Sequence, residues 1–259
     1  MSKLNKWYLG LTFSIMLICW GICVLCSLNG IVMSEYYILY VPWILGGLSP
    51  TIASYVTLKK NGEVKGFKDW LKIVFNFKRG SVLAYVAVIV FGILTFLPQS
   101  IIAGYENGAA LYLLPLLMVA MLVGGGLEEA GWRLVLQPEL EKKFNYTVST
   151  VIVAVIWSLW HLPLFFIQGV SQYRTDYGIF CIGVFGLSFA LASLRKITGG
   201  VALCVLFHCT SNALSSIFIT KQSVLGSTVA AISTIALSYV VILLWKSKQR
   251  QRIPAIGSE

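Results

Sequence analysis

Two carboxylates and a guanidinium lie in the middle of a strongly apolar part of the chain. Residues 124–133 read GGGLEEAGWR, with LYLLPLLMVAMLV before them and LVL after them. A single charged residue at the centre of a membrane helix costs about 2.5–3.5 kcal/mol on insertion scales. A chain keeps such a cluster only where it faces a protein interior or a wet cavity. Glu128, Glu129 and Arg133 are therefore candidates for a functional site.

Helical spacing separates the roles of the two carboxylates. Glu129 and Arg133 are four residues apart, share one helix face and are expected to form an internal ion pair. Glu128 points about 100° away from Glu129 on a helix of 3.6 residues per turn. It is then free of the arginine and is the better general base. Gly124–Gly126 and Ala130 allow a neighbouring helix to approach closely.

Both histidines of the chain also fall in apolar segments. His208 lies four residues before Asn212 on the same helix face, and Trp157 lies one turn before His161, where it packs the ring or a cavity wall. Counted from the presumed cytoplasmic helix ends at 1.5 Å per residue, Glu128, His161 and His208 each lie roughly 10–20 Å inside. The sequence thus predicts one shared layer that opens towards the cytoplasm.

A glutamate, two histidines and an asparagine in one wet pocket are suited to activating water. Glu128 could take a proton from water that His161 orients, while His208 and Asn212 donate hydrogen bonds to the oxyanion formed at a scissile carbonyl. The alternative is a zinc ion held by Glu128, His161 and His208 with one open position. The HExxH signature is absent. Zinc and a metal-free mechanism both remain open from the sequence.

Composition places these residues in a membrane protein. The 259 residues are 58% hydrophobic and 12% charged, with a mean hydropathy of +0.82. We predict an all-α polytopic protein of a single domain, residues 1–259, with about eight transmembrane helices around a cytoplasm-facing intramembrane cavity. The expected spans are 7–28, 36–58 with a bend near Pro42 or Pro50, 81–102, 109–136, 147–167, 177–194, 199–220 and 224–245.

Residues 59–80 form the longest polar stretch between these spans. Phe67, Trp70, Leu71, Val74 and Phe77 fall near one helical face, with lysines opposite. The pattern is typical of a helix that lies in the membrane interface on anionic lipid. A solvated loop with a few aromatic residues is the alternative.

The basic residues segregate to one side of this topology. One side holds Lys221 and Arg174, and Arg133 lies within the membrane. Both termini are expected in the cytoplasm, because loops rich in lysine and arginine stay there. This placement explains the net charge of +10 without nucleic acid as a partner. The basic side holds lysines 3, 6, 59, 60, 65, 68, 72, 78, 142, 143, 196, 246 and 248, and arginines 79, 195, 250 and 252.

Three motifs resemble those of the CPBP family, which comprises CAAX proteases and bacteriocin-processing (Abi) intramembrane enzymes. They are EEAGWR at 128–133, Trp-x-x-x-His at 157–161 and His-x-x-x-Asn at 208–212. The family pattern is EExxxR, an aromatic residue one turn before a histidine, and His-x-x-x-Asn or Asp. Trp157 stands where phenylalanine is usual. The resemblance covers the fourth to the seventh span, about 109–220.

The resemblance implies an intramembrane endopeptidase with assigned roles for these residues. Glu128 would be the catalytic glutamate, His161 its partner in water activation, and His208 with Asn212 the oxyanion stabilisers. Glu129, Arg133 and Trp157 would support them. Family names include metalloprotease, although a glutamate-activated water without metal is also argued for such enzymes.

The implied substrate is a peptide or membrane-protein tail, such as a bacteriocin precursor or pheromone, with a possible part in self-immunity. The lipid bilayer is the other partner, and the plasma membrane of a bacterium is the expected location. Two other functions use the same buried groups: a proton-coupled transporter, or a non-catalytic membrane scaffold that keeps the fold. Against transport, the sequence shows no internal repeat and no matched pair of broken helices.

Overall fold

The structure is a computed structural model that describes residues 3–252, apart from the side chains of residues 3, 5 and 250–252. The predicted all-α architecture is confirmed. Residues 1, 2 and 253–259 of the predicted single domain lie outside the described part. The helices are α1 Lys3–Leu28, α2 Tyr40–Gly47, α3 Ser49–Lys60, α4 Phe67–Val74, α5 Val82–Ala103, α6 Leu114–Ala120, α7 Glu129–Gly131, α8 Gln137–Glu141, α9 Tyr146–His161, α10 Tyr177–Thr198, α11 Ala202–Ile217 and α12 Val224–Arg252.

Short elements complete the chain. A π-helical turn, Trp132–Leu136, joins α7 to α8, and 3-10 turns flank several helices, including Gly126–Glu128 and Leu162–Phe166. Two three-residue strands, β1 (Tyr105–Asn107) and β2 (Phe218–Thr220), pair in antiparallel fashion.

Five helical segments in the described part are long and apolar enough to cross a membrane by length and composition. They are Lys6–Leu28, Val82–Ala103, Tyr146–Phe166, Tyr177–Thr198 and Val224–Gln249. Three further apolar helices, Tyr37–Gly47, Leu111–Ala120 and Ala202–Ile217, are shorter. All eight predicted apolar segments are therefore helical, but three of them are not single continuous spans.

The three exceptions have local causes. The second segment breaks at Leu48, where α2 ends and Pro50 occupies the first turn of α3, a position that suits proline. The fourth segment leaves the helix after Ala120, and the turn that follows contains Gly125, whose φ of +142° is incompatible with a helix. The seventh segment ends at Ile217, because Phe218–Thr220 leaves the helix to pair with β1.

Capping residues set the ends of the long helices. The side chains of Asn145 and Asp176 accept hydrogen bonds from backbone N–H groups in the first turns of α9 and α10, at 2.9 Å each. The helix α10 ends at Gly199, which has the left-handed conformation (φ +64°) that commonly terminates helices.

The loops gather at two opposite ends of the bundle. The end that carries the start of α1, here called the terminal end, also holds the 61–81 and 142–145 loops. There Lys60 Nζ lies 3.7 Å from the centre of the Trp7 ring, and Arg195 Nη1 lies 3.2 Å from Glu141 Oε2. The other end, the loop end, holds residues 29–39, 104–110, 167–176 and 218–223.

Hydrogen bonds among the loops and the end of α1 define the loop end. Gln168 N–H donates to Ser27 Oγ at 3.0 Å, and Gln222 Nε2 donates to the Arg174 carbonyl at 2.8 Å. The chain crosses between the two ends eight times within residues 3–252, so α1 begins and α12 finishes at the terminal end. The even number of crossings predicted from the sequence is thus found in the bundle.

The amphipathic segment forms the helix α4. Trp70 and Val74 are buried against the bundle, and Trp70 Nε1 donates to Ser54 Oγ at 3.2 Å. Phe67 and Phe77 of the same predicted face stay exposed. The predicted helix is confirmed, and the alternative of a solvated loop is wrong for these residues. The location of this helix in a lipid interface stays a prediction.

Close packing of α10 on α12 depends on a small residue at the contact. A Cβ at Gly186 would lie 2.8 Å from the Ala231 Cα, whereas a Cβ at Gly183, one turn earlier, meets no atom within 4 Å. We expect Gly186→Leu to destabilise the protein by about 1–3 kcal/mol, the usual cost of overpacking. An apparent melting temperature in detergent lowered by several degrees would show this.

The matched control is Gly183→Leu, which adds the same side chain to the same helix in open space. Equal melting temperatures for the two variants would contradict the described packing of α10 on α12.

Candidate active site

The four candidate catalytic side chains surround one cavity of about 150 Å³ inside the bundle. Glu128, His161, His208 and Asn212 all line it, and Trp157 forms part of its wall. Glu128 and His161 are 7% and 8% exposed, so both are shielded from bulk solvent. The remaining lining residues are Trp20, Trp43, Ile44, Gly47, Val123, Gly124, Trp160, Leu164, Gln172, Phe180, Val184 and Leu187.

Two indoles hold the carboxylate of Glu128. Oε2 accepts a hydrogen bond from Trp157 Nε1 at 2.7 Å and another from Trp132 Nε1 at 3.3 Å. Trp132 follows one helical turn later, whereas Trp157 comes from α9. Neutral donors fix the carboxylate without pairing it with a fixed positive charge. Glu128 therefore keeps the capacity to accept a proton.

The adjacent carboxylate has a different environment. Arg133 Nε lies 3.3 Å from Glu129 Oε2, without the alignment of a hydrogen bond, and both side chains are fully buried. His208 Nδ1 lies 2.9 Å from Glu129 Oε1, and Arg133 Nη2 donates to Ser188 Oγ at 2.9 Å. We call Glu129, Arg133, His208 and Ser188 the Glu129 network. The predicted ion pair is confirmed.

The sequence does not predict the other members of the Glu129 network or the hydrogen bond from Trp157 to Glu128. Glu129 and His208 are 79 residues apart, and Glu128 and Trp157 are 29 apart, so no helical spacing relates them. The role expected for Trp157 was only packing. An indole one turn before a histidine at membrane depth was the available signal, because a buried indole N–H usually finds an acceptor.

Hydrogen bonds orient the two imidazoles. His161 lies in the last turn of α9, where its Nδ1 is 2.9 Å from the carbonyl oxygen of Trp157. Because a carbonyl only accepts, Nδ1 carries the proton, and Nε2 of the neutral ring has a free lone pair. By the same argument His208 Nδ1–H donates to Glu129. A second proton on His208 Nε2 would make it a donor towards the cavity.

The glycine turn brings α11 close to the backbone beside Glu128. Asn212 Nδ2 donates to the Gly124 carbonyl at 2.9 Å. A Cβ at Gly125 would overlap Asn212 Nδ2 and would lie 2.9 Å from His208 Nε2. Two candidate oxyanion donors thus converge on one point of the turn. The predicted close helix approach at these glycines is confirmed.

The residues of the zinc alternative do not form a metal-binding cluster. Within residues 3–252, no group of three or more His, Cys, Asp or Glu side chains is arranged to hold a metal ion. His208 and His161 each use Nδ1 for a protein partner, and Glu128 Oε2 accepts two indole bonds. These Nδ1 bonds leave Nε2 of both imidazoles unused, as in metal-binding histidines as well as in acid–base groups.

The position of the cavity differs from the sequence-based expectation in one respect. That expectation put the cavity mouth and both termini on the same side. In the structure the lining residues come from the halves of the helices nearest the loop end, and Gln172 belongs to a loop of that end. His161 ends α9, fifteen residues after Tyr146 and hence about 22 Å from its start at 1.5 Å per residue.

The known proteins to which this chain is similar are CAAX prenyl proteases. The sequence model of the family described as "Type II CAAX prenyl endopeptidase Rce1-like" matches residues 110–214, which include all four candidate catalytic residues. A curated protein of Methanococcus maripaludis (strain S2), named CAAX prenyl protease 2, is 27% identical over 228 residues, covering 78% of this chain and 80% of that protein. Over this segment the chain is therefore similar to CAAX prenyl endopeptidases.

These two matches confirm the resemblance given by the three motifs. The five long apolar helical segments of the described part suit an integral membrane protein. The matched segment 110–214 almost coincides with the predicted motif-bearing core, about 109–220.

The Glu129 network yields a prediction about the stability of the protein. Arg133→Leu leaves a buried carboxylate without its cation, which typically costs about 3–5 kcal/mol. We expect a clearly lowered apparent melting temperature in detergent. The double variant Glu129→Leu/Arg133→Leu removes both charges and should regain most of that stability, because apolar replacement of a whole buried pair is often neutral.

Peptide cleavage should nevertheless stay lost in the double variant, since His208 Nδ1 has lost its acceptor. A double variant as unstable as the single one, or one that still cleaves, would contradict this account of the Glu129 network.

A second prediction concerns Trp157. Trp157→Phe keeps an aromatic ring but deletes the 2.7 Å bond to Glu128 Oε2. A hydrogen bond to a charged group contributes about 1.5–3 kcal/mol, so kcat should fall about 10- to 100-fold with little change in KM. The control Trp70→Phe removes an indole bond to Ser54 far from the cavity and should leave kcat unchanged. Equal kcat values for both variants would show that Trp157 does not position the carboxylate.

Proposed function

We propose that this protein is an intramembrane endopeptidase that hydrolyses a peptide bond with water activated by Glu128. Its catalytic residues are Glu128, His161, His208 and Asn212, supported by Glu129, Arg133 and Trp157. The observation that carries the proposal is the convergence of these four polar side chains on a single cavity in an otherwise apolar bundle. The similarity to CAAX prenyl endopeptidases over residues 110–214 supports the reaction class.

The proposed base is Glu128. Its carboxylate takes a proton from a water molecule as the water oxygen forms a bond to the scissile carbonyl carbon. The indole bonds from Trp157 and Trp132 hold Oε2 during this step. His161 accepts a hydrogen bond from the same water through the lone pair of Nε2, which orients the attacking oxygen.

The proposed oxyanion site lies beside Gly125. As the carbonyl oxygen becomes negative, Asn212 Nδ2 and protonated His208 Nε2 donate hydrogen bonds to it. Glu129 supports this role, because a carboxylate 2.9 Å from Nδ1 favours the protonated imidazole. Collapse of the tetrahedral species then breaks the C–N bond, and the proton held by Glu128 passes to the departing amine.

The substrate and location follow the family resemblance. We infer that the substrate is a peptide or a membrane-protein tail, with bacteriocin processing or self-immunity as the biological setting. We further infer one membrane domain over residues 1–259, in a bacterial plasma membrane with cytoplasmic termini. The segregation of lysine and arginine to the terminal end supports that orientation.

The direct test compares peptides released by cells that carry equal amounts of membrane-inserted variants. Glu128→Gln should reduce the formation of specific cleavage products by about 10²- to 10⁴-fold, the range for a general base. Asn212→Ala should reduce it by about 10²- to 10³-fold, the range for one oxyanion donor. Quantitative mass spectrometry of the released peptides provides the measurement.

The control is Glu106→Gln, which makes the same change at an exposed carboxylate of the loop end. A proton-coupled transporter would tolerate Asn212→Ala but fail with Glu128→Gln. A scaffold would show wild-type peptide pools in both. Either pattern would contradict the proposed reaction.

A further inference from the structure

The two ends of the bundle differ sharply in charge. The loop end carries Arg174 and Lys221 as its basic residues, together with Glu35, Glu106 and Asp176. The other lysines and arginines, apart from the buried Arg133, lie at the terminal end. Basic residues near membrane-spanning segments stay in the cytoplasm. The charge distribution therefore puts the terminal end in the cytoplasm and the loop end on the opposite side of the membrane.

The cavity belongs to the loop end. Gln172 of the 167–176 loop forms part of its lining, as do Trp43 near the start of α2 and Phe180 in the first turn of α10. Towards the terminal end the interior is filled by Arg133, Leu136 and other side chains with no exposed surface. The route from the cavity to solvent thus runs towards the loop end.

The 167–176 loop forms the rim of the cavity at the loop end, and hydrogen bonds anchor it to the bundle. The Gln168 carbonyl accepts from the N–H of Met33 at 2.9 Å, and its side chain donates from Nε2 to the Ser27 carbonyl at 3.2 Å. Gly169 turns the chain with a φ of +97°. These bonds tie the loop that carries Gln172 to the end of α1. The rim is consequently a fixed part of the site.

The aromatic lining of the cavity indicates which kind of substrate side chain it could hold. Trp20 and Trp160 pack with ring centres 4.5 Å apart. Their indole N–H groups donate to the Trp43 carbonyl and to Ser49 Oγ, so the rings present apolar surface. An apolar cavity of about 150 Å³ accommodates a benzene-sized molecule. One large uncharged side chain fits such a space, whereas a folded segment does not.

We propose that the peptide reaches Glu128 from the extracytoplasmic side of the membrane, through the loop end, and places one large uncharged side chain against the rings of Trp20 and Trp160. The proposal rests on the proposed function for the reaction itself. It names the substrate class of that site: peptide bonds in exported or membrane-anchored segments exposed beyond the cytoplasm. Because the loop end has nearly equal numbers of basic and acidic residues, the peptide needs no particular charge to approach the cavity there.

The test is thiol labelling with a membrane-impermeant maleimide in intact cells. Ser171→Cys and Lys143→Cys put one exposed thiol at the loop end and one at the terminal end, each in a background in which the six native cysteines are serine. We expect Ser171→Cys to react in intact cells and Lys143→Cys only after lysis. The reverse pattern, or reaction of both thiols in intact cells, would overturn the proposal.

A second measurement does not depend on replacing cysteines. Green fluorescent protein fused after residue 259 should fluoresce, and alkaline phosphatase fused there should be inactive, because the terminal end is cytoplasmic. The opposite result would place the cavity mouth in the cytoplasm and reject the proposal. Both readouts are independent of cleavage, so they stand even if the Glu128→Gln comparison contradicts the proposed endopeptidase.

The entry route is tested by blocking the rim. The thiol of Gln172→Cys lies at the cavity lining, and its reaction with the impermeant maleimide in intact cells should lower release of the Glu128-dependent peptides at least tenfold. The same treatment of Lys143→Cys should leave release unchanged. Undiminished release from fully labelled Gln172→Cys would show that the peptide enters elsewhere.

Discussion

The burial of two adjacent carboxylates in an apolar bundle is the constraint on which the site depends. Neither Glu128 nor Glu129 can be left without partners, because an uncompensated charge in such surroundings costs several kcal/mol. The protein meets this requirement in two ways. Glu129 is paired with Arg133 and His208, whereas Glu128 receives only neutral indole donors. Adjacent residues of identical chemistry thereby acquire different reactivity.

The break in the fourth apolar segment follows from this arrangement. A regular helix would project Glu128 and Glu129 at a fixed angle and would keep α11 at ordinary packing distance. The turn at Gly125 lets Asn212 and His208 approach its backbone, and the π-helical turn after Gly131 alters the spacing of the following side chains. Such π-turns are frequent at functional sites. The irregular backbone is buried in protein, which is the condition under which membrane proteins tolerate it.

The sequence predicted those features that depend on local spacing. The i,i+4 pairing of Glu129 with Arg133 and the helical nature of all eight apolar segments could be predicted because each involves neighbouring residues. The Trp157–Glu128 and His208–Glu129 bonds could not, since they depend on how separate segments meet. The end at which the cavity opens could not be predicted either, because it depends on which loop lines the cavity, and Gln172 of the 167–176 loop does so.

The residues of the Glu129 network hold the helices together and also position the proposed catalytic groups. Glu129 joins the fourth apolar segment to α11 through His208, and Arg133 joins it to α10 through Ser188. The contacts that neutralise a buried carboxylate therefore also fix the distance between the proposed general base and the proposed oxyanion donors. Arg133 also lies 5.5 Å from the centre of the Trp157 ring, whose indole bonds Glu128. The same buried cation therefore contacts Glu129 directly and packs against the residue that holds Glu128. A shift of Arg133 would consequently disturb Glu129 directly and Glu128 through its indole donor.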